Sequence, residues 1–162
     1  MVRRVEANRP AFALKPALFR YRFCLPSVLF ETVPITMILG LGTDIVEIER
    51  IRGMLERHGS HFIDRCFTPD EIAYSQKHRD SAIRFAGRWA AKEAVVKVLG
   101  TGFIEGMTFH DIEIVSLHTG QPTVRLSGEA GRIAESMGIL QIQITISHAR
   151  EYATATAIGL GK

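Results

Sequence analysis

Apolar positions in this chain switch repeatedly between a helical period and strict alternation. Met37 opens a strand, Met37-Ile38-Leu39-Gly40-Leu41-Gly42-Thr43-Asp44-Ile45-Val46. Ile48, Ile51 and Leu55 then recur at helical spacing, and Gly59 reads as the cap that closes that helix. Thr68-Pro69-Asp70-Glu71 is a helix start, with a capping threonine, proline in the first turn and Glu71 to complete a capping box. From Ser81, read as a cap, to Gly100 runs a helix with two apolar stripes. Ile83, Ala90, Ala94 and Val98 form one, and Phe85, Trp89 and Val96 the other. A helix apolar on two sides is expected to pack on two sides.

The second half of the chain alternates. Residues 108–117 do so around Ile112, Ile114 and Leu117, His118-Thr119-Gly120-Gln121-Pro122 is a turn, and Thr123–Leu126 returns as a strand. Ala130–Met137 is a short helix ended by Gly138. Ile142, Ile144 and Ile146 alternate strictly, Ser147–Glu151 reads as a turn, and Tyr152–Ile158 is the last strand. Strand, three helices, hairpin, short helix, hairpin predicts an α+β domain with a mainly antiparallel sheet against a long central helix.

Residues 1–36 fit no such pattern. They hold four of the six prolines, and six basic side chains against two acidic ones. Their net charge of +4 leaves the remaining residues at −1, so the overall +3 gives no support to nucleic-acid binding. The expected organisation is an extension over 1–36, outside the fold, and one domain over 37–162. Met37 is the expected natural start, and a targeting peptide is the rival reading of the extension. Cys24 and Cys66, far apart, offer no metal spacing and suit a reducing compartment. No apolar run approaches the roughly 20 residues of a membrane span.

Glu93 and Lys97 fall in the gap between the two stripes of the long helix. The plain reading is an i,i+4 ion pair. The chemical reading is a partly desolvated carboxylate and ammonium, costly unless paired or binding something. Asp44, at the end of an apolar strand, is read either as a turn acid or as the partner of Glu93 in a two-carboxylate set. Such a set suits Mg²⁺, which keeps waters and leaves positions for phosphate oxygens. Gly40 and Gly42 carry no phosphate-loop motif and read as a place where another backbone approaches. Arg84, Arg88 and Lys92 recur every fourth residue, as a solvated face or as a phosphate-binding edge. His148 is an exposed turn histidine or a phosphate contact. Arg50, Arg52 and Arg57 are surface charges or a dock for an acidic partner.

These motifs together resemble the holo-acyl-carrier-protein synthases. Gly40-Leu41-Gly42-Thr43-Asp44-Ile45-Val46-Glu47-Ile48 is similar to the family's opening, and Phe67-Thr68-Pro69-Asp70-Glu71 with Tyr74 to its next block. Arg88-Trp89-Ala90-Ala91-Lys92-Glu93-Ala94, Lys97 and Gly100-Thr101-Gly102 resemble its signature helix, with Trp89 where phenylalanine is usual. Asp111–Ile114, Gly120-Gln121-Pro122, Ile146-Ser147-His148 and Glu151-Tyr152-Ala153 complete the resemblance, from Met37 to about Ile158. Some members carry an acid after the C-terminal histidine, where this chain has Ala149.

The resemblance implies the 4′-phosphopantetheinyl transferase fold and transfer of 4′-phosphopantetheine from coenzyme A to a serine of apo acyl carrier protein, in the cytoplasm, in support of fatty acid biosynthesis. It implies Mg²⁺ on Asp44 and Glu93, with Glu93 the base, directly or through a metal-bound water, and Lys97 catalytic, either neutralising pyrophosphate charge or protonating the leaving phosphate. Arg88, Lys92, Lys97, Gly100, Thr101, Gly102 and His148 would hold the coenzyme. Arg50, Met54 and Arg57 would form the carrier-protein dock, and a homotrimer would place the sites between subunits. Another Mg²⁺-dependent phosphate enzyme, such as a nucleotide hydrolase, would use the same carboxylates without needing the arginine face. A non-catalytic carrier-binding module could lose them.

Overall fold

The structure is a computed structural model that describes residues 36–104 and 106–162. Strand β1 (Met37–Glu47) leads into helix α1 (Ile48–Cys66), followed by α2 (Pro69–Gln76) and α3 (Ser81–Leu99). After a single 3-10 turn at Phe109–Asp111 come β2 (Ile112–Ser116), β3 (Pro122–Leu126), α4 (Gly128–Ser136), β4 (Ile139–His148) and β5 (Tyr152–Gly161). The antiparallel strands form two sheets, a β1-β5-β4 sheet and a separate β2-β3 hairpin. The α+β class and the order of elements are those expected.

Several boundaries differ. Gly59 does not end α1: at φ 50°, ψ −130° it makes a kink, and helical backbone resumes to Cys66. Asp80, not Ser81, is the residue before the first turn of α3, and neither element end has a side-chain cap bond there. Residues 109–111 form the 3-10 turn rather than strand, and Ser147 and His148 pair with Thr154 and Ala153 as the end of β4. Gly100 does close α3 in the left-handed region, and the Thr68–Glu71 capping box is present. Ser127 makes no cap for α4. Asp111 accepts from the Glu129 N–H instead, at 3.1 Å, and takes over that orphan donor from another element.

The packing of α3 on the sheet sets up everything that follows. On the inner face, β5 presents Ala153, Ala155, Ala157 and Gly159, and β1 presents Gly40 and Gly42. A Cβ on Gly40 would lie 2.5 Å from the Val98 carbonyl oxygen, and one on Gly42 would meet the Ala94 carbonyl oxygen. So the helix backbone rests directly on the strands, and Ala90, Ala94 and Val98 lie fully covered. This is the close approach that the glycine pair predicts. The other sides of α3 bury Phe85, Val95, Val96 and Leu99 against α1, α2 and the hairpin. The 19-residue helix is therefore enclosed on most of its circumference, and few of its polar side chains can reach solvent.

Candidate active site

Close contact of α3 with β1 brings the two carboxylates together. Asp44 alternates to the inner face of β1, opposite Ala155 on β5, and its side chain keeps 18% exposure. Lys97, near the end of α3, crosses to it. Its ammonium donates to Asp44 Oδ1 at 2.9 Å and to the Thr43 carbonyl at 2.7 Å. Glu93 lies one turn before Lys97 and is half-buried. Burial raises the pKa of its carboxyl above the ordinary glutamate value, and the negative charge of Asp44 raises it further. Lys97 and Arg50 pull in the opposite direction without cancelling the shift. The Glu93 carboxylate is thus under-compensated by the protein's own cations. Val96, Gly100, Gly102 and Phe103 complete an open groove around Glu93 and Lys97. Gly100 and Gly102 both sit at positive φ, 72° and 66°, so the loop leaving α3 turns in a conformation that suits glycine.

The basic stripe divides. Arg84 and Arg88 line a second groove with Tyr74, Ser116, Ile146 and the exposed His148. Arg88 is only 4% exposed. Its guanidinium carbon lies 3.8 Å from the centre of the Tyr74 ring, and Nη2 donates to Ser116 Oγ at 3.2 Å. Its Nε is buried and has no hydrogen-bond partner among the described residues. Burial lowers the pKa of Arg88 from the ordinary arginine value.

Lys92 does not reach this groove, which corrects its expected place among the coenzyme-binding residues. It has no exposed surface. Its ammonium is 2.7 Å from Glu71 Oε2 and donates to the Phe109 carbonyl at 2.8 Å. A charge so enclosed is fully committed to internal partners. Glu71, read from sequence only as part of a capping box, also accepts from the Thr68 and Ile114 amides, at 2.9 and 3.0 Å. A signal was present, since Lys92 is flanked at three and four residues by Trp89, Val95 and Val96.

On α1, Arg50 and Arg57 are exposed, whereas Met54 is half-buried against the core. Arg52 is engaged internally, by Asp80 at 2.9 Å and Glu49 at 3.2 Å. Cys66 is a buried free thiol, and Cys24 lies outside the described residues. No helix among the described residues is long and apolar enough to cross a membrane.

Two carboxylates and an ammonium meet where β1 touches α3, and arginine and histidine side chains line a separate groove. The family model described as the 4′-phosphopantetheinyl transferase superfamily matches residues 40–157. A holo-[acyl-carrier-protein] synthase of Gloeobacter violaceus is 50% identical over 129 residues, 78% of this chain and 96% of the relative. Among solved structures, the holo-acyl-carrier-protein synthase of Plasmodium yoelii superposes with a TM-score of 0.69 at 34% identity, covering 78% of this chain and 98% of that one. The Helicobacter pylori holo-[acyl-carrier-protein] synthase in complex with coenzyme A gives 0.66 at 30% identity, over 74% and 98%.

Proposed function

The chain belongs to the 4′-phosphopantetheinyl transferase superfamily, and on that premise we propose how its own residues carry out the transfer. It moves 4′-phosphopantetheine from coenzyme A to a serine hydroxyl of apo acyl carrier protein and releases adenosine 3′,5′-bisphosphate. The observation that carries the assignment of the site is the meeting of Asp44, Lys97 and Glu93 where β1 touches α3. The serine oxygen forms a bond to the phosphorus that bears pantetheine. The pyrophosphate P–O bond to the nucleotide breaks.

Glu93 takes the serine proton. In the metal-free protein its raised pKa brings its basicity closer to neutral pH, where a general base is most useful. Lys97 stands one turn away and neutralises charge on the departing phosphate. Asp44 and Glu93 suit Mg²⁺, a hard ion content with one or two protein carboxylates. When bound, that ion supplies charge neutralisation at the pyrophosphate oxygens. Arg84, Arg88 and His148, which line one groove, hold the nucleotide phosphates. Domain 37–162 carries this chemistry.

A homotrimer with shared sites is the assembly we favour. At about 1.5 Å per residue, Arg84 and Lys97 stand roughly 20 Å apart along α3, so the two grooves are separate half-sites on one chain. The outer face of β1 presents Leu41 and Ile45 with 66% and 65% exposure, an apolar surface fit to receive a neighbour. One subunit's basic groove would then face the acidic groove of the next.

The test is intact-mass spectrometry of apo acyl carrier protein incubated with this protein, coenzyme A and Mg²⁺. A gain of one phosphopantetheine, lost in chelator, is expected. Coenzyme A cleavage without a gain on any carrier would point to a hydrolase instead. Arg57→Glu, on the exposed side of α1, is expected to lower kcat/KM for the carrier roughly 3–10-fold at low ionic strength. The effect should fade with salt, with KM for coenzyme A unchanged. An effect independent of salt would remove Arg57 from the dock.

A further inference from the structure

The groove around Glu93 and Lys97 is polar at one end and aromatic at the other. Phe103, 38% exposed, lines it, just beyond Gly102. An exposed phenyl ring on a glycine-bounded loop would be free to move, but this one is held. Its centroid lies 4.2 Å from that of Phe109, with the rings tilted by 37°. Phe109 lies 4.9 Å from Trp89, and Trp89 5.7 Å from Phe62. The ladder is anchored in the core at Phe62 and ends in the groove at Phe103. Such offset aromatic contacts fix ring orientation as well as burying area.

We propose that Phe103 is a specificity-determining residue whose ring forms the wall along which the pantetheine chain of coenzyme A lies. This rests on the transfer reading above. The pyrophosphate sits between two unlike groups, a nucleotide that bears a further phosphate and a pantetheine chain of methylenes and a gem-dimethyl carbon. The nucleotide phosphates call for cations, and Arg84, Arg88 and His148 lie in the other groove. The apolar chain calls for apolar surface, and beside Glu93 and Lys97 the exposed apolar side chain is Phe103. One face of Phe103 is taken by Phe109, so the ring offers its remaining face and edge. Pre-set by the ladder, it loses little freedom when the chain binds.

The test compares two ligands on the unsubstituted protein and on Phe103→Ala by titration calorimetry, with transfer assayed alongside. Coenzyme A contains the pantetheine chain, and adenosine 3′,5′-bisphosphate lacks it. Expected is about a 10-fold rise in Kd for coenzyme A, with the bisphosphate within two-fold. Phe103→Leu, which keeps apolar surface, should recover most of the loss. Equal weakening of both ligands would mean that Phe103 holds the nucleotide or merely shapes the loop, and no weakening of either would mean that it touches neither. Both outcomes overturn the inference while leaving transfer intact. Transfer absent from the unsubstituted protein would instead remove the reading on which it rests.

Discussion

Glu93→Gln is expected to lower transfer by about 10³-fold or more, while the metal-free protein melts at the same temperature or higher. The two halves of this result have one origin. The carboxylate lies between Asp44 and the packed face of α3, where burial and the Asp44 charge both disfavour ionisation. A group whose pKa is raised on folding stabilises the fold below its unfolded pKa and loses that contribution as pH rises through the folded pKa. At neutral pH Glu93 is therefore ionised at a cost to the fold, and a neutral amide of the same shape removes that cost. The function that keeps the carboxylate is proton transfer and cation binding, each worth orders of magnitude in rate. Transfer by the native protein should accordingly fall at low pH as Glu93 is protonated, and in the metal-free protein that protonation should have its midpoint above the ordinary glutamate range. The check is the holo-carrier rate with saturating coenzyme A and Mg²⁺, beside thermal melts in chelator. Near-native transfer by the variant would end the assignment of Glu93 as base and metal ligand.

The second large effect concerns stability. Glu71→Ala is expected to cost about 3–5 kcal/mol, because it leaves the Lys92 ammonium charged and enclosed. Domains of this size are held by about 5–15 kcal/mol, so the variant would sit close to unfolding. Desolvation already lowers the pKa of Lys92, and Glu71 is the largest influence opposing that shift. Two backbone amides, of Thr68 and Ile114, lose their acceptor as well. Glu71→Gln combined with Lys92→Met should recover most of the loss. The pair is then neutral, and the glutamine oxygen can still accept from Ile114. Urea midpoints at unchanged slope would measure both variants. A loss under 1 kcal/mol for the single variant would show that the pair is not the keystone of α2 on α3.

Glu71 shows where sequence reading succeeds and where it stops. Its role in the capping box is legible because the box is local: Thr68, Pro69 and Glu71 lie within one turn. Its pairing with Lys92 joins residues 21 apart across two helices, and no period encodes that. The stripe of Arg84, Arg88 and Lys92 divides for the same reason. Spacing puts all three on one side of α3, but α2 and the 3-10 turn cover the Lys92 end and leave the Arg84 end open. Phe103 is likewise just one aromatic after a glycine pair until Phe109 is brought against it.

The sequence by itself determined the elements and their order, and it singled out Asp44 and Glu93, the two carboxylates proposed for the site. These follow from local signals: helical and alternating periods, caps, turns and acids placed in apolar surroundings. Only the tertiary structure decided which face of β1 is the inside. By hydrophobicity Leu41 and Ile45 belong in the core and Gly42 and Asp44 outside it, yet the strand is turned the other way. Contact with the backbone of α3 requires glycine at that surface, because any larger residue would collide with the Ala94 carbonyl. The steric demand of that one helix outweighs the local apolar pattern. It carries Asp44 inward to Lys97 and Glu93 and leaves Leu41 and Ile45 bare on the other side.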